Sequence, residues 1–277
     1  MPKHLTDAQI SEYRECGFLS PIDVMSESEA AGILAELEEA EHSSAQHLAG
    51  KNRNNPHLVF TCLDALAFNK IVLDVVEDLL GPDIALWGSV LFIKEPQSSQ
   101  FVTWHQDATY MGMASNNFVT PWIALSPSNV DTGCMAMIPG SHLQNIKPHD
   151  DTYGENNILT RGQVVRDVDE SSAVDLILKP GQMSLHHAQT VHGSKPNKSQ
   201  QRRVGFALQS FMPSDIRQTI GQNIWLPARG LPPVGDGVTF LSRPTGNLEE
   251  KAIAERQMAN SNFDDILYHG ATQQRDF

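Results

Sequence analysis

The segment FVTWHQDATYMG, residues 101–112, sets His105 and Asp107 two apart among Phe101, Val102, Trp104 and Tyr110. Ionisable groups in such apolar company need a partner that offsets the cost of leaving water. On a strand, side chains at i and i+2 share a face, so an imidazole and a carboxylate at this spacing converge. On a helix they would diverge by roughly 200°. A converging histidine and carboxylate are two of the three ligands of a mononuclear Fe(II) site, in which two histidines and one carboxylate leave positions open for oxygen chemistry. The third ligand must come from another strand, and His142, His149, His186, His187 and His192 are the downstream candidates.

His192 differs from the others in its downstream neighbours. The run HGSKPNKSQQRR places a Gly-Ser turn after the histidine and ends on Arg203, which opens the apolar stretch RVGFALQSF. Arg203, Gly205, Ala207 and Gln209 alternate onto one face of that stretch, with Val204, Phe206 and Leu208 on the other. An arginine entering a face of small residues is placed to hold a carboxylate with its two-pronged guanidinium. Taken singly these signals are weak, since lone histidines are usually surface or core residues and a bare HxD is common.

Taken together and in order, WHQD, GCMAMIPGSH and KPGQMSLHHAQTVHGSKPNKSQQRR resemble the phytanoyl-CoA dioxygenase family of Fe(II)/2-oxoglutarate-dependent oxygenases, over about residues 57–215. The resemblance implies a mainly β fold, a double-stranded β-helix (a cupin-like jelly roll) with helices packed outside one sheet. It implies His105, Asp107 and His192 as the metal ligands of the catalytic centre. Arg203 and Ser194 would bind 2-oxoglutarate, Trp122 would line its site, and Arg53 stands where some members carry a basic cosubstrate contact. Fe(II), 2-oxoglutarate and O2 are the implied cofactors, with hydroxylation of a C–H bond and release of succinate and CO2. Chlorinating relatives replace the carboxylate ligand with a small residue, so Asp107 favours hydroxylation.

The rest of the chain sets bounds. It has 277 residues, 40% hydrophobic and 19% charged, which is ordinary for a globular enzyme. A net charge of −13 argues against nucleic acid and anionic membrane surfaces as partners. Cys16, Cys62 and Cys134 are too few and too scattered for a disulfide framework. With no apolar leader at the N-terminus and no run of about 18 apolar residues, a cytoplasmic protein is expected.

A single domain is expected, with residues 1–82 helical, a jelly-roll core over about 84–215, and an irregular or helical C-terminal part. Thr6 with Gln9 and Ser26 with Glu29 read as capped helix starts, and NKIVLDVVEDLLGP as a third helix. Short β-rich runs come next, among them IALWGSVLFI, VTPWIALS, QMSLHH and RRVGFALQSF. Residues 149–172 read as a long polar loop, a candidate lid. RGLPPVGDG reads as irregular surface and NLEEKAIAERQMA as a short helix.

The expected substrate is a small polar or zwitterionic metabolite: an aminophosphonate such as 2-aminoethylphosphonate, an amino acid or a natural-product intermediate. Lys94, Arg161 and Arg202 are the cations that could clamp a phosphonate. MGMASNN (111–117) and ENNILTRGQ (155–163) could shape the pocket, and His186 or His187 could face it. The alternatives are a non-catalytic metal-binding jelly roll, a zinc hydrolase, or a hydroxylase of an acyl-CoA or lipid. A zinc hydrolase lacks its HExxH helix here and leaves Arg203 without a task.

Overall fold

The N-terminal helices begin where side chains can satisfy their free N–H groups. The computed structural model describes residues 2–232, 235 and 237–275. In α1 (Asp7–Cys16) Thr6 and Gln9 form a reciprocal capping box, and Gly17 closes the helix at φ 85°. In α2 (Glu27–Ser43) Ser26 and Glu29 repeat the device. After the short α3 (Thr61–Ala67), Asn69 caps α4 (Lys70–Leu80), whose Val72, Val75 and Val76 are fully buried. The expected all-helical N-terminal part holds one exception. FLSPID forms a strand, β1 (Phe18–Asp23), that pairs with a strand far downstream in the chain.

The strands then come in quick succession: β2 (Ile84–Leu86), β3 (Val90–Lys94), β4 (Val102–His105), β5 (Val119–Ala124), β6 (Met135–Met137), β7 (His149–Asp151), β8 (Gln163–Val165), β9 (Val174–Asp175), β10 (Gln182–His187), β11 (His192–Ser194), β12 (Arg203–Ala207), β13 (Phe211–Pro213), β14 (Asn223–Arg229) and β15 (Val238–Phe240). Nine of them form a large sheet, ordered β1-β10-β5-β13-β2-β14-β15 with β12 joining β5 to β3. A smaller sheet runs β4-β11-β6-β9. Two sheets joined in this way make the jelly-roll core. The stretch expected as one long loop carries the antiparallel pair β7–β8 and a 3₁₀ turn at Glu170–Ser172. Its alternation is too short, and its faces too polar, to show in the sequence.

Period-2 alternation decides what each face of the large sheet meets. Ile123, Leu185, Val204, Phe206 and Leu208 point to one side and form one cluster with Leu37, Leu63, Val72 and Val75 of the helices. Trp122, Ala124 and Ala207 point to the other side and join Met135 and Met137 of the small sheet. The split of RVGFALQSF into two faces is therefore the split between helix packing and the space between the sheets. Beyond residue 215 the structure adds β14 to the large sheet and a helix longer than expected, α5 (Glu250–Leu267). Part of RGLPPVGDG lies outside the described residues.

Gly205 is fixed by what lies above it. A Cβ built there would sit 1.7 Å from Cζ2 of Trp122, so the ring occupies the volume of the missing side chain. Gly205→Ala is therefore expected to destabilise the protein by about 1–3 kcal/mol. Urea unfolding checks this, and an unchanged midpoint would mean that the Trp122 ring moves aside freely.

Candidate metal centre and cosubstrate cavity

His105 is the last residue of β4 and His192 the first of β11, and the two are directly paired across the small sheet. Their rings lie 4.1 Å apart, centroid to centroid. Each ring is oriented by its backbone surroundings. Nδ1 of His105 lies 2.9 Å from the Thr103 carbonyl and 3.0 Å from that of His192, and Nδ1 of His192 lies 2.9 Å from the Thr190 carbonyl. A carbonyl only accepts, so Nδ1 carries the proton in both rings and Nε2 keeps its lone pair.

Asp107 reaches the same point by a different route from the one its spacing suggests. The strand ends at His105, and Asp107 opens a 3₁₀ turn, Asp107–Thr109. The chain turns there, yet Asp107 Oδ1 comes to 3.5 Å from Nε2 of His105 and 3.9 Å from Nε2 of His192. One donor atom from each of the three lies within 4.8 Å of the others, the one such group among the described residues.

The other carboxylate oxygen is held by the large sheet. Thr120 on β5 and His186 on β10 are cross-strand partners. The Thr120 hydroxyl donates to Oδ2 over 3.2 Å, and Nε2 of His186 stands 3.2 Å from the same atom. Asp107 thus bridges the two sheets, Oδ2 fastened to one and Oδ1 turned toward the imidazoles of the other. Burial by itself would raise its carboxyl pKa. The imidazoles of His105, His186 and His192 gathered around it outweigh this and hold it well below the usual carboxylate range. Burial, reinforced by His105 and His186, pushes His192 far below an ordinary imidazole, so it stays neutral.

The remaining candidate histidines go elsewhere. His149 accepts from the backbone N–H of Gln106 over 3.0 Å. His142 and His187 pack against each other on the far side of the sheet, ring centroids 5.4 Å apart. The two adjacent histidines are thereby separated: His186 shares the cavity face with Ser184, whereas His187 shares a face with Met183 and Leu185. That alternation is present in QMSLHH and is enough to tell them apart.

The cavity beside this cluster lies between the sheets and encloses about 1050 Å³, its mouth included. Arg203 and Trp122 line it from the large sheet, and Ser194 from β11. Arg203 is 2% exposed, and its guanidinium lies 4.6 Å over the Trp122 ring. No side-chain hydrogen bond or ion pair to a described residue engages it, and its Nε is buried without a partner. Burial pushes its pKa down to about 10, so it remains charged at neutral pH. A buried cation without a counter-ion implies that an anion completes the site.

Arg53 lies elsewhere, in a 3₁₀ turn with Nε donating to the Leu48 carbonyl, and its neighbour Asn54 lines the cavity instead. The three cations considered as spare are all engaged. Lys94 is not a surface charge: it is fully buried, directly opposite Arg203 in the sheet, and donates to the Ser194 hydroxyl and the Lys195 carbonyl, each over 2.6 Å. Burial and the charge of Arg203 push its pKa down to about 6. Arg161 bonds Asp151 and the carbonyls of Leu267 and His269. Arg202 pairs with Glu41 and Glu95. Of the two loops expected at the pocket, Met111 from the first and Ile158, Leu159, Thr160 and Gln163 from the second reach its wall, while Met113 and Asn116 do not.

The profile of the family described as phytanoyl-CoA dioxygenase (PhyH) matches residues 13–205. The chain is 32% identical over 165 residues to the "Probable alpha-ketoglutarate-dependent hypophosphite dioxygenase" of Stutzerimonas stutzeri, covering 57% of each. It is 31% identical over 134 residues to the peroxisomal phytanoyl-CoA dioxygenase of Bos taurus, covering 47% of this chain and 40% of that one. The match thus spans about half the length of these relatives. Among solved structures, a non-heme monooxygenase, ThoJ in its apo form, superposes with a TM-score of 0.83 at 28% identity, covering 94% of this chain and 97% of the other. With the family's profile spanning both sheets from β1 to β12, the chain belongs to the phytanoyl-CoA dioxygenase family.

Proposed function

We propose that this protein is an Fe(II)- and 2-oxoglutarate-dependent dioxygenase that hydroxylates an unactivated C–H bond of a small metabolite. The keto acid is oxidatively decarboxylated to succinate and CO2, one oxygen atom of O2 entering succinate and the other the product. One observation carries this reading: a two-histidine, one-carboxylate cluster shares its cavity with a buried guanidinium that has no counter-ion among the described residues. The donor set suits Fe(II), and the unpaired guanidinium suits a dicarboxylate. A zinc hydrolase would use the first and leave the second unexplained.

His105, Asp107 and His192 would hold the metal, which when bound supplies the redox chemistry that couples keto-acid decarboxylation to C–H oxidation. The carbonyls on Nδ1 of both histidines keep Nε2 unprotonated and aimed at the shared point. The Asp107 carboxylate brings a full negative charge at neutral pH. Arg203 would receive the distal carboxylate of 2-oxoglutarate, and its stacking on Trp122 keeps the guanidinium plane fixed. The Ser194 hydroxyl accepts from Lys94, which leaves its own proton free for the same carboxylate. No protein nucleophile is required. The task left to the walls is to orient the substrate and exclude water.

Lys94, Arg161 and Arg202 are each bound within the protein, so the aminophosphonate reading lacks its clamp. The hypophosphite named for the Stutzerimonas relative would meet the same lack. The three cysteines are unpaired, in keeping with a cytoplasmic setting.

Anaerobic addition of Fe(II) and then 2-oxoglutarate should produce a weak visible charge-transfer band. Asp107→Ala is expected to lose that band and to lower O2-dependent succinate release by about a hundredfold or more. Normal turnover in this variant would refute the ligand assignment. Arg203→Lys, which keeps charge but loses the fork, should raise KM for 2-oxoglutarate by about 10- to 100-fold. An unchanged KM would place the cosubstrate elsewhere.

A further inference from the structure

The cavity walls draw on two separate apolar clusters. Trp122, Met135 and Ala207 belong to the cluster around Arg203. Trp87, Met111 and Phe263 belong to the other, with Leu267 packed against it. Trp87 and Phe263 are stacked, ring centroids 4.0 Å apart. If 2-oxoglutarate occupies the Arg203 end, the Trp87–Phe263 end is what remains for the substrate.

That end offers no charge. Apart from the histidines, Asp107 and Arg203 are the only cavity-wall side chains, among the described residues, that carry a charge at neutral pH, and both have tasks at the other end or at the metal. The polar groups left are neutral amides and hydroxyls. Gln106 is already satisfied, accepting from the Lys147 N–H and donating to the Gln189 carbonyl. The side chains of Asn54 and Gln209 line the cavity and hydrogen-bond to no described residue. A charged group placed here would lose its hydration with no counter-ion to replace it. An apolar ring would meet indole, phenyl and thioether surfaces instead.

Resting on the dioxygenase reading, we infer that the substrate is an uncharged molecule with a rigid, ring-bearing apolar framework, which packs on the Trp87–Phe263 end and hydrogen-bonds through neutral groups to Asn54 and Gln209. This departs from the polar or zwitterionic metabolite expected from the sequence, and the two readings compete in the test that follows.

The test uses the protein loaded anaerobically with Fe(II) and 2-oxoglutarate. Matched probes are titrated in: indole-3-acetamide against indole-3-acetate, N-acetyltryptamine against tryptamine, and 2-aminoethylphosphonate alone. Binding is read as perturbation of the visible band and, independently, as heat in isothermal titration calorimetry. Each neutral probe should bind about tenfold or more tightly than its charged partner. Phe263→Ala and the milder Gln209→Leu should weaken neutral-probe binding while the band forms as before. Equal or tighter binding of the charged partners or of 2-aminoethylphosphonate overturns the inference, as does a formed band with no response to either neutral probe. If the band itself never forms, the dioxygenase reading fails, and the calorimetric preference between matched probes still decides the inference.

Discussion

A carboxylate withdrawn from water costs several kcal/mol unless donors or a cation surround it, and Asp107 meets that cost differently at its two oxygens. The large sheet contributes Thr120 and His186, adjacent across β5 and β10, to one oxygen. The small sheet turns the Nε2 lone pairs of His105 and His192 toward the other, an acceptor cluster that a metal ion held by all three would satisfy. The spacing between the sheets at this point is set by the reach of one aspartate. Because each oxygen is committed to a different sheet, rotation of the carboxylate would break contacts on both.

The Arg203 end of the cavity obeys a second rule, that of opposed cations. Lys94 and Arg203 face each other across neighbouring strands, where like charges repel. The conflict is resolved by letting Lys94 become a buried donor to Ser194 and the Lys195 carbonyl, while Arg203 keeps its charge. Gly205 yields its side-chain space to Trp122, and Trp122 in turn lies beneath the guanidinium. Three residues of unlike chemistry therefore form one packed unit, which in the proposed reading receives the keto acid's distal carboxylate.

What is legible in the sequence is local. Capping residues announce their helices at Thr6 and Ser26, because the signal lies within one turn of the cap. Strand alternation in RVGFALQSF announces its two faces. Pairings over long separations leave no such trace. FLSPID looks like a link between helices until β10 provides an edge for it. Thr120 carries no sign of its contact with Asp107, which depends on the register of two strands far apart in the chain. Lys94 is hidden for a different reason: in VLFIK it alternates with Phe92 onto the inner face, but a lysine's usual place is in water. His105 and Asp107 do converge, through a turn at the strand end rather than through strand periodicity.

The helix α5 lies beyond residue 205, where the family match ends, and yet it furnishes Phe263 and Leu267 to the cavity. The residues proposed to hold iron and keto acid all fall inside the shared segment. The chemical engine thus lies wholly within the shared segment, whereas the wall it works against is divided between that segment, with Trp87 and Met111, and the tail, with Phe263 and Leu267. Drift in the tail can reshape what enters without disturbing the oxidising machinery, a division of labour through which one scaffold can acquire new clients.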